Sequence, residues 1–379
     1  MKDKGKKKKG SLKQYIGLIF MIIIGGAGGF LAAGYLDSVL ETGKSPQELL
    51  FFTGGILICF IIACYLQIII HEAGHLIFGL LSGYRFSSFR IGSFIWLKEG
   101  EKLTCKRLSI AGTGGQCLMI PPNMKDGKIP VVLYNLGGSI MNVIAAIISI
   151  LLFFACKGMP FLSLFWLLMA GTGMAFALIN GIPMHVGMVD NDGYNALSLG
   201  KSEEALRSFW IQMKANSEIA KGVRVKDMPK EWFAVPSYEG MQNSIVAVMG
   251  VFACNRLMDE HQFEEAAELM KHLLSMETAI NGLHKGIMKC DLIYCELIGE
   301  NRQEVIEELL DKEEEAFMKS MKSFISVLRT RYAYALLFEK DEEKADKWKA
   351  QFEKCAAKYP YACDVEAERE LMVIAEERA

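Results

Sequence analysis

Three side chains that can bind a metal ion or move a proton lie inside the apolar stretch YLQIIIHEAGHLIFGLLSG, residues 65–83. His71 and His75 are four residues apart, so on a helix both imidazoles lie on one face and can bind one ion. Glu72 follows the first histidine and could act as a general base, as in the His-Glu-x-x-His pattern of zinc proteases. This pattern therefore predicts a catalytic zinc site.

The surroundings of these residues strengthen that prediction. An ionisable side chain at the centre of a membrane helix costs about 2.5–3.5 kcal/mol on insertion scales. Three polar groups in one apolar run therefore need a partner, and Zn²⁺ would supply one. Hydrogen bonds from neighbouring helices to the two histidines are the alternative.

A third ligand is expected from another segment, because a catalytic zinc usually has three protein ligands and one open position for water. In ALINGIPMHVGMVDNDGYNAL, residues 177–197, Asn180 and Pro183 should end a helix at membrane depth. Irregular backbone is tolerated there only where it lines a cavity. His185, Asp190 and Asp192 follow, and each could bind zinc.

Four apolar runs are long enough to cross a bilayer, which takes about 20 residues. They cover residues 15–36, 49–81, 129–156 and 159–179. Lysine and arginine are concentrated before the first run and between residues 84 and 128, which places both segments on the cytoplasmic side. We therefore expect a multi-pass protein of the cell membrane with both termini in the cytoplasm.

The remaining segments predict smaller elements around these spans. Residues 86–110 alternate apolar and polar side chains around a Lys-Glu-Gly turn, which predicts a β-hairpin at the inner membrane face. AGTGGQCLMIPPN, residues 111–123, is predicted to be a loop. Three segments beginning near residues 255, 290 and 330 each predict a helical hairpin. Their spacing is close to the tetratricopeptide (TPR) period of about 34 residues, and a plain helical bundle is the alternative.

The predicted fold is thus mainly α. It comprises a basic cytoplasmic tail (1–13), a membrane metalloprotease domain (14–195) and a cytoplasmic domain of TPR-like helical hairpins (200–379). Two properties exclude other classes of function. The net charge is −2, which argues against a nucleic-acid partner. The 10 cysteines form no Cys-x-x-Cys pair, so neither a disulfide framework nor a cysteine zinc site is predicted.

The site motif resembles that of a known family. HEAGH within an apolar run, followed by Asn180-x-x-Pro183 and then by Asp192-Gly193, resembles the site-2 protease family of intramembrane zinc metalloproteases. The resemblance covers the second to fourth runs, less than half of the chain. It implies that His71, His75 and Asp192 bind zinc and that Glu72 is the base.

Two further features bear on the resemblance. The family has a Gly-x-x-x-Asn-like stretch in the intervening helix, and Gly138 and Asn142 match it. The gap between Asn180 and Asp192 is longer than in the commonest family form, so Asp190 stays an alternative third ligand. The sequence shows neither of the PDZ and CBS regulatory domains that many relatives carry.

The expected activity is hydrolysis of peptide bonds within or next to transmembrane segments. Its substrate would be a membrane protein or a membrane-bound peptide, and the helical domain could bind a cytoplasmic protein. Asn142, Asn180 and residues 85–120 are candidates to hold an extended substrate strand by hydrogen bonds. For Asn142, a hydrogen bond between two helices is the alternative. The rival function is a membrane adaptor without protease activity, but an adaptor has no need of Glu72.

Overall fold

The computed structural model describes residue 34 and residues 45–99, 102–108, 113–186 and 189–379. The predicted basic tail and nearly all of the first apolar run lie outside the described residues. Contacts divide the chain into two compact units. We call Met1–Ser82 with Val131–Leu197 the span unit, and Gly83–Pro130 with Ser198–Ala379 the C-terminal unit.

Three long helices form most of the described part of the span unit: α1 (Pro46–Leu81), α2 (Val132–Ala155) and α3 (Pro160–Gly181). Each is long and apolar enough to cross a membrane. The second, third and fourth predicted runs are therefore confirmed as helices of membrane-spanning length. Helix α1 begins with a capping box between Ser45 and Glu48, in which each side chain hydrogen bonds to the other residue's backbone N–H.

Helices α1 and α2 pack with their backbones in contact at two glycines. A Cβ atom on Gly74 would lie 2.3 Å from the carbonyl oxygen of Gly137, and one on Gly137 would lie 2.7 Å from the carbonyl oxygen of Gly74. Both distances are too short for any other residue, and small residues are what allow membrane helices to approach closely. This contact brings the polar face of α1 against α2.

Helix α3 ends where the sequence predicted a break. Its last residue is Gly181, and Ile182 is extended, as is favoured directly before a proline such as Pro183. Two short strands, His185–Val186 and Val189–Asp190, then pair antiparallel, and α4 (Asp192–Leu199) follows. The chain thus turns back on itself between α3 and α4.

A four-stranded antiparallel sheet belongs to the C-terminal unit. Its strands are β1 (Arg85–Ile91), β2 (Phe94–Glu99), β3 (Lys102–Arg107) and β4 (Gly115–Ile120), in the order β3-β2-β1-β4. The predicted hairpin around the Lys-Glu-Gly turn is confirmed as β2 and β3.

One strand corrects the predicted loop at residues 111–123. Gly115–Ile120 is β4, which pairs with β1, and its side chains Cys117 and Met119 are buried on the same face. A strand can form here because this hexapeptide alternates inward and outward positions. The flanking glycines and the Pro-Pro pair concealed that alternation. A second turn, at Gly92 with φ 57°, separates β1 from β2.

Helices complete the C-terminal unit, and three pairs of them correspond to the predicted helical hairpins: α6 with α7, α8 with α9, and α11 with α12. Their TPR-like character stays a prediction. The sheet packs within this unit, since Arg107 N–H donates to the Lys358 carbonyl at 3.1 Å. The helices are α5 (Glu203–Ala220), α6 (Ser244–Asp259), α7 (Phe263–Ser275), α8 (Gly282–Ile298), α9 (Gln303–Leu309), α10 (Lys312–Ser320), α11 (Ile325–Ala333), α12 (Glu342–Ala356) and α13 (Ala362–Glu376).

Candidate metal centre

Three potential ligand atoms converge in the span unit. The Nε2 atom of His71 lies 3.1 Å from Oδ2 of Asp192, and the Nε2 atom of His75 lies 3.3 Å from the same oxygen. The two Nε2 atoms are 3.2 Å apart. Among the described residues, these three side chains form a group whose arrangement could hold one metal ion.

The spacing of these atoms fits zinc. Tetrahedral zinc with bonds of about 2.0–2.1 Å separates its ligand atoms by about 3.3 Å, close to the observed distances of 3.1–3.3 Å. Two imidazoles and one carboxylate are also a donor set that zinc takes in catalytic sites, with the fourth position left for water. The residues present therefore fit the metal that the sequence predicted.

A chain of buried amide groups orients His71. Its Nδ1 atom is 2.7 Å from Oδ1 of Asn142, whose Nδ2 donates to the side-chain and backbone oxygens of Gln67 at 2.7 and 3.0 Å. Gln67 Nε2 in turn donates to the Met169 carbonyl at 2.9 Å. Because the nitrogen end of Asn142 faces two oxygens, its oxygen faces His71. Nδ1 of His71 therefore carries the proton, and the lone pair of Nε2 points to the cluster.

His75 is oriented by a backbone group of the same helix α2. Its Nδ1–H donates to the Tyr134 carbonyl at 2.8 Å, and the Tyr134 ring packs against the imidazole with the centroids 5.9 Å apart. Nε2 of His75 is therefore also left as an acceptor. Both histidines thus present neutral Nε2 lone pairs, the form that binds a metal.

The glycine four residues before Asn142, Gly138, has a steric role at the site. A Cβ atom at this position would lie 2.5 Å from the His71 ring. Gly138 therefore makes room for the imidazole, while Asn142, one turn later on the same face of α2, accepts its Nδ1–H bond.

Asn191 fixes the backbone that carries Asp192. It is 5% exposed, and its amide joins the end of α3 to the start of α4. Its Nδ2 donates to two carbonyls and its Oδ1 accepts from two backbone N–H groups, at 2.5–3.0 Å (Ile179, Ile182, Met184, Tyr194). The Asp192 carboxylate is thereby held on a rigid segment.

The glycine of the Asp-Gly pair has a steric role. A Cβ atom on Gly193 would lie 2.2 Å from the Gly181 carbonyl oxygen, so this position can approach α3 only as glycine.

A comparison with known protein families finds a match over most of the chain. The sequence profile described as peptidase family M50 matches residues 59–337, about three quarters of the chain. The chain belongs to peptidase family M50, the site-2 protease family. No curated protein and no solved structure matches it. M50 peptidases are zinc metalloproteases, and in this member the three residues that match the family's ligands lie together.

The other predicted site residues of this M50 member lie around the cluster. Glu72 is 8% exposed, directly follows His71 on α1, and is not part of the ligand group. Asp190, the alternative ligand, is also outside that group and pairs through its backbone with His185. Asn180 lies in the last turn of α3, where its Nδ2 donates to the Phe176 carbonyl at 3.0 Å.

Two residues that orient the candidate ligands of this M50 member were not predicted from the sequence. Gln67 precedes His71 by four residues, so a polar residue on the same face of the apolar run was the available signal. Asn191 directly precedes Asp192, and its tendency to hydrogen bond nearby backbone is general for asparagine. Neither signal indicates by itself which groups the side chain contacts.

Proposed function

We propose that this protein is an intramembrane zinc endopeptidase that hydrolyses peptide bonds within or next to transmembrane segments. The observation that carries the proposal is the convergence of His71 Nε2, His75 Nε2 and Asp192 Oδ2 within 3.1–3.3 Å, with both histidines on a helix of membrane-spanning length. The non-proteolytic adaptor is not favoured, because the chain belongs to a peptidase family.

His71, His75 and Asp192 would hold the zinc ion. When bound, zinc polarises the scissile carbonyl group and lowers the pKa of a water molecule toward about 7. The hydrogen bonds from Nδ1 of His71 and Nδ1 of His75 keep both rings in the ligand orientation without help from substrate. The site is therefore largely assembled before substrate arrives.

Glu72 acts as the general base. It takes a proton from the attacking water and later passes it to the leaving amine. Its place supports this role, since it is buried and adjacent in sequence to His71 but lies outside the ligand group.

The two asparagines predicted to bind substrate have different surroundings. Asn142 is fully buried, and its amide contacts His71 and Gln67, which supports a role in orienting His71. Binding substrate would require those hydrogen bonds to break. Asn180 is half-buried at the end of α3 and is the better candidate to hold an extended substrate strand.

The protein is proposed to cross the cell membrane several times, with both termini in the cytoplasm. Large apolar side chains on the helices face outward, as they would toward lipid (Leu50, Phe51, Ile58, Ile61, Leu151). The positive charge before the first apolar run, residues 15–36, and between residues 84 and 128 supports the orientation. The substrate would be a membrane protein or a membrane-bound peptide, and the C-terminal unit could bind a cytoplasmic protein.

Substrate capture followed by cleavage tests the proposal. A crosslinked Glu72→Gln protein in cells should retain its substrate, which is then identified and reconstituted in liposomes with the wild-type protein. We expect cleavage within or beside the substrate's transmembrane segment, loss of cleavage after chelation, and recovery with Zn²⁺. Glu48→Gln, an exposed change at the start of the same helix, is the matched control. Cleavage by the metal-free protein would contradict the proposed function.

A further inference from the structure

The C-terminal unit contains a cavity of about 410 Å³. Its walls come from the sheet and from helices α5, α6, α8, α11 and α13. Sites for small organic ligands typically measure about 300–1,000 Å³, so this C-terminal cavity is large enough for one. None of the residues of the candidate metal centre lines it.

Two buried polar atoms in the cavity wall have no hydrogen-bond partner among the described residues. They are Oγ of Ser326, a residue that is 7% exposed, and Nδ1 of His284. Buried polar atoms are almost always paired, so the two residues that carry these atoms, both of which line the cavity, are positions where a ligand group could supply a hydrogen bond.

The two arginines in the wall are already paired. Arg329 donates to Asp291 at 2.5 Å and to Glu368 at 2.8 Å, and its remaining terminal nitrogen donates to a hydroxyl group on the same helix. Arg224 donates to Asp259 at 2.5 Å and also to Glu370. Neither guanidinium group is therefore available to attract an anionic ligand.

Asp364 differs from the other three carboxylates in the wall. It forms no ion pair with a lysine or arginine among the described residues, and its neighbouring Cys363 thiol is 3.9 Å away. Burial raises the pKa of Asp364 to about 7, and the charges of Glu368 and Asp259 add to that effect. A cation from a ligand would relieve this accumulation of negative charge.

Aromatic rings supply the apolar part of the wall: Phe233, Phe252, Phe324, Tyr359 and Tyr361. Aromatic faces attract organic cations as well as apolar groups. The first turns of α8 and α11, which carry His284 and Ser326, have partial positive charge and would favour an anion. The charge at each helix end is only a fraction of a unit charge, whereas the ionised Asp364 carboxylate carries a full negative charge. The net preference is therefore for a cation.

We propose that the C-terminal cavity binds an organic cation with an apolar body, whose ammonium group pairs with Asp364 and whose body lies among the aromatic rings. Ser326 and His284 bind further polar groups of that ligand. The ligand is either a free amine or a basic side chain of a peptide. This site goes beyond the proposed peptidase activity and does not depend on it.

Calorimetric titration of the full-length protein with three matched probes tests the charge preference. The probes are 2-phenylethylamine, 2-phenylethanol and 3-phenylpropionate, and we expect the amine to bind most tightly. Asp364→Asn should weaken amine binding by about 10–100-fold, the usual range for a charge-assisted hydrogen bond. Asp346→Asn, the same substitution at an exposed position of α12, should leave amine binding unchanged.

Two further measurements distinguish a free amine from a basic peptide side chain as the ligand. If acetyl-Phe-Lys-Leu-amide binds and competes with the amine, the ligand is a basic peptide segment; if only 2-phenylethylamine binds, it is a free amine. Tighter binding of 3-phenylpropionate, no binding of any probe, or full amine affinity in a folded Asp364→Asn protein would overturn the proposal. Thermal unfolding of each variant verifies that it is folded.

Discussion

The two units bury polar side chains in opposite ways. In the C-terminal unit, Arg329 is 1% exposed, and its positive charge is balanced by Asp291 and Glu368 and lies over the Tyr294 ring at 4.4 Å. In the span unit, the Asp192 carboxylate contacts only two imidazoles among its described ion-pair partners.

The hydrogen bonds of those imidazoles explain the contrast. Because Nδ1 of His71 and Nδ1 of His75 both donate, the lone pairs of both Nε2 atoms and the Asp192 oxygen face one another. Three acceptors that face one another are unfavourable unless a cation lies between them. The C-terminal unit supplies its cation from the chain, whereas in the span unit a bound metal ion would supply it.

The largest effect is expected when the Asp192 carboxylate is removed from the ligand group. Asp192→Ala leaves two ligands, so we expect it to lose most of its zinc and all measurable cleavage. Asp190→Ala, two residues earlier, should keep both. Metal analysis of the purified variants measures this difference; zinc loss in Asp190→Ala with retention in Asp192→Ala would move the third ligand to Asp190.

Glu72→Gln separates metal binding from catalysis. Glutamine keeps the size of the side chain but cannot accept a proton, so cleavage should fall by about 10²–10⁴-fold. Zinc content should stay at the wild-type level because Glu72 is not in the ligand group. Cleavage and metal content are measured on the same sample, and undiminished cleavage by the zinc-loaded variant would show that Glu72 is not the base.

Arg329→Met removes the cation that the C-terminal unit supplies for itself. It leaves Asp291 and Glu368 buried without their partner, which should destabilise this unit by about 3–5 kcal/mol. Arg369→Met breaks only an exposed pair with Glu353 and should cost about 0–1 kcal/mol. Hydrogen exchange in α8 and α11 measures the opening free energy. Equal losses of opening free energy in the two variants would contradict the expectation that the buried ion pairs contribute more than the exposed one.

The loss in Arg329→Met should also depend on pH. Burial raises the pKa of both Asp291 and Glu368, and Arg329 partly offsets that rise. Without Arg329 both folded-state pKa values move higher, so the carboxyl groups favour the protonated form in the folded state. The deficit should therefore be small near about pH 4 and grow toward neutral pH. A deficit that is constant with pH would indicate lost packing instead of unpaired charge.

Gln67→Leu should have the smallest effect. It removes the side-chain acceptor for Asn142 but keeps the backbone acceptor, so the orientation of His71 is weakened and not lost. We expect zinc affinity to fall by about tenfold, at the low end for residues that orient a ligand. Chelator competition measures the affinity, and Tyr65→Phe, at an exposed position of α1, is the control. Unchanged zinc affinity would show that Asn142 holds His71 without Gln67.

Much of the span unit could be predicted because its signals are local. Apolar runs of sufficient length predicted α1, α2 and α3, and helical periodicity placed His71 and His75 on one face. In the C-terminal unit, the same periodicity predicted helical hairpins. Strand β4 was missed, because its six residues lie between glycines and prolines and are stabilised by pairing with β1.

The sequence by itself determined which side chains could bind a metal, since residue type and helical spacing are properties of a short segment. It left His185, Asp190 and Asp192 open as the third ligand. Only the tertiary structure brings Asp192 next to His71, across 121 residues of sequence. The orienting contacts also span long separations, 75 residues from Asn142 to Gln67 and 102 from Gln67 to Met169. The physical reason is that these distances are set by the glycine contacts between α1 and α2 and by the hydrogen bonds of Asn191 after α3. The sequence pattern of a single segment contains no information about its distance from another segment.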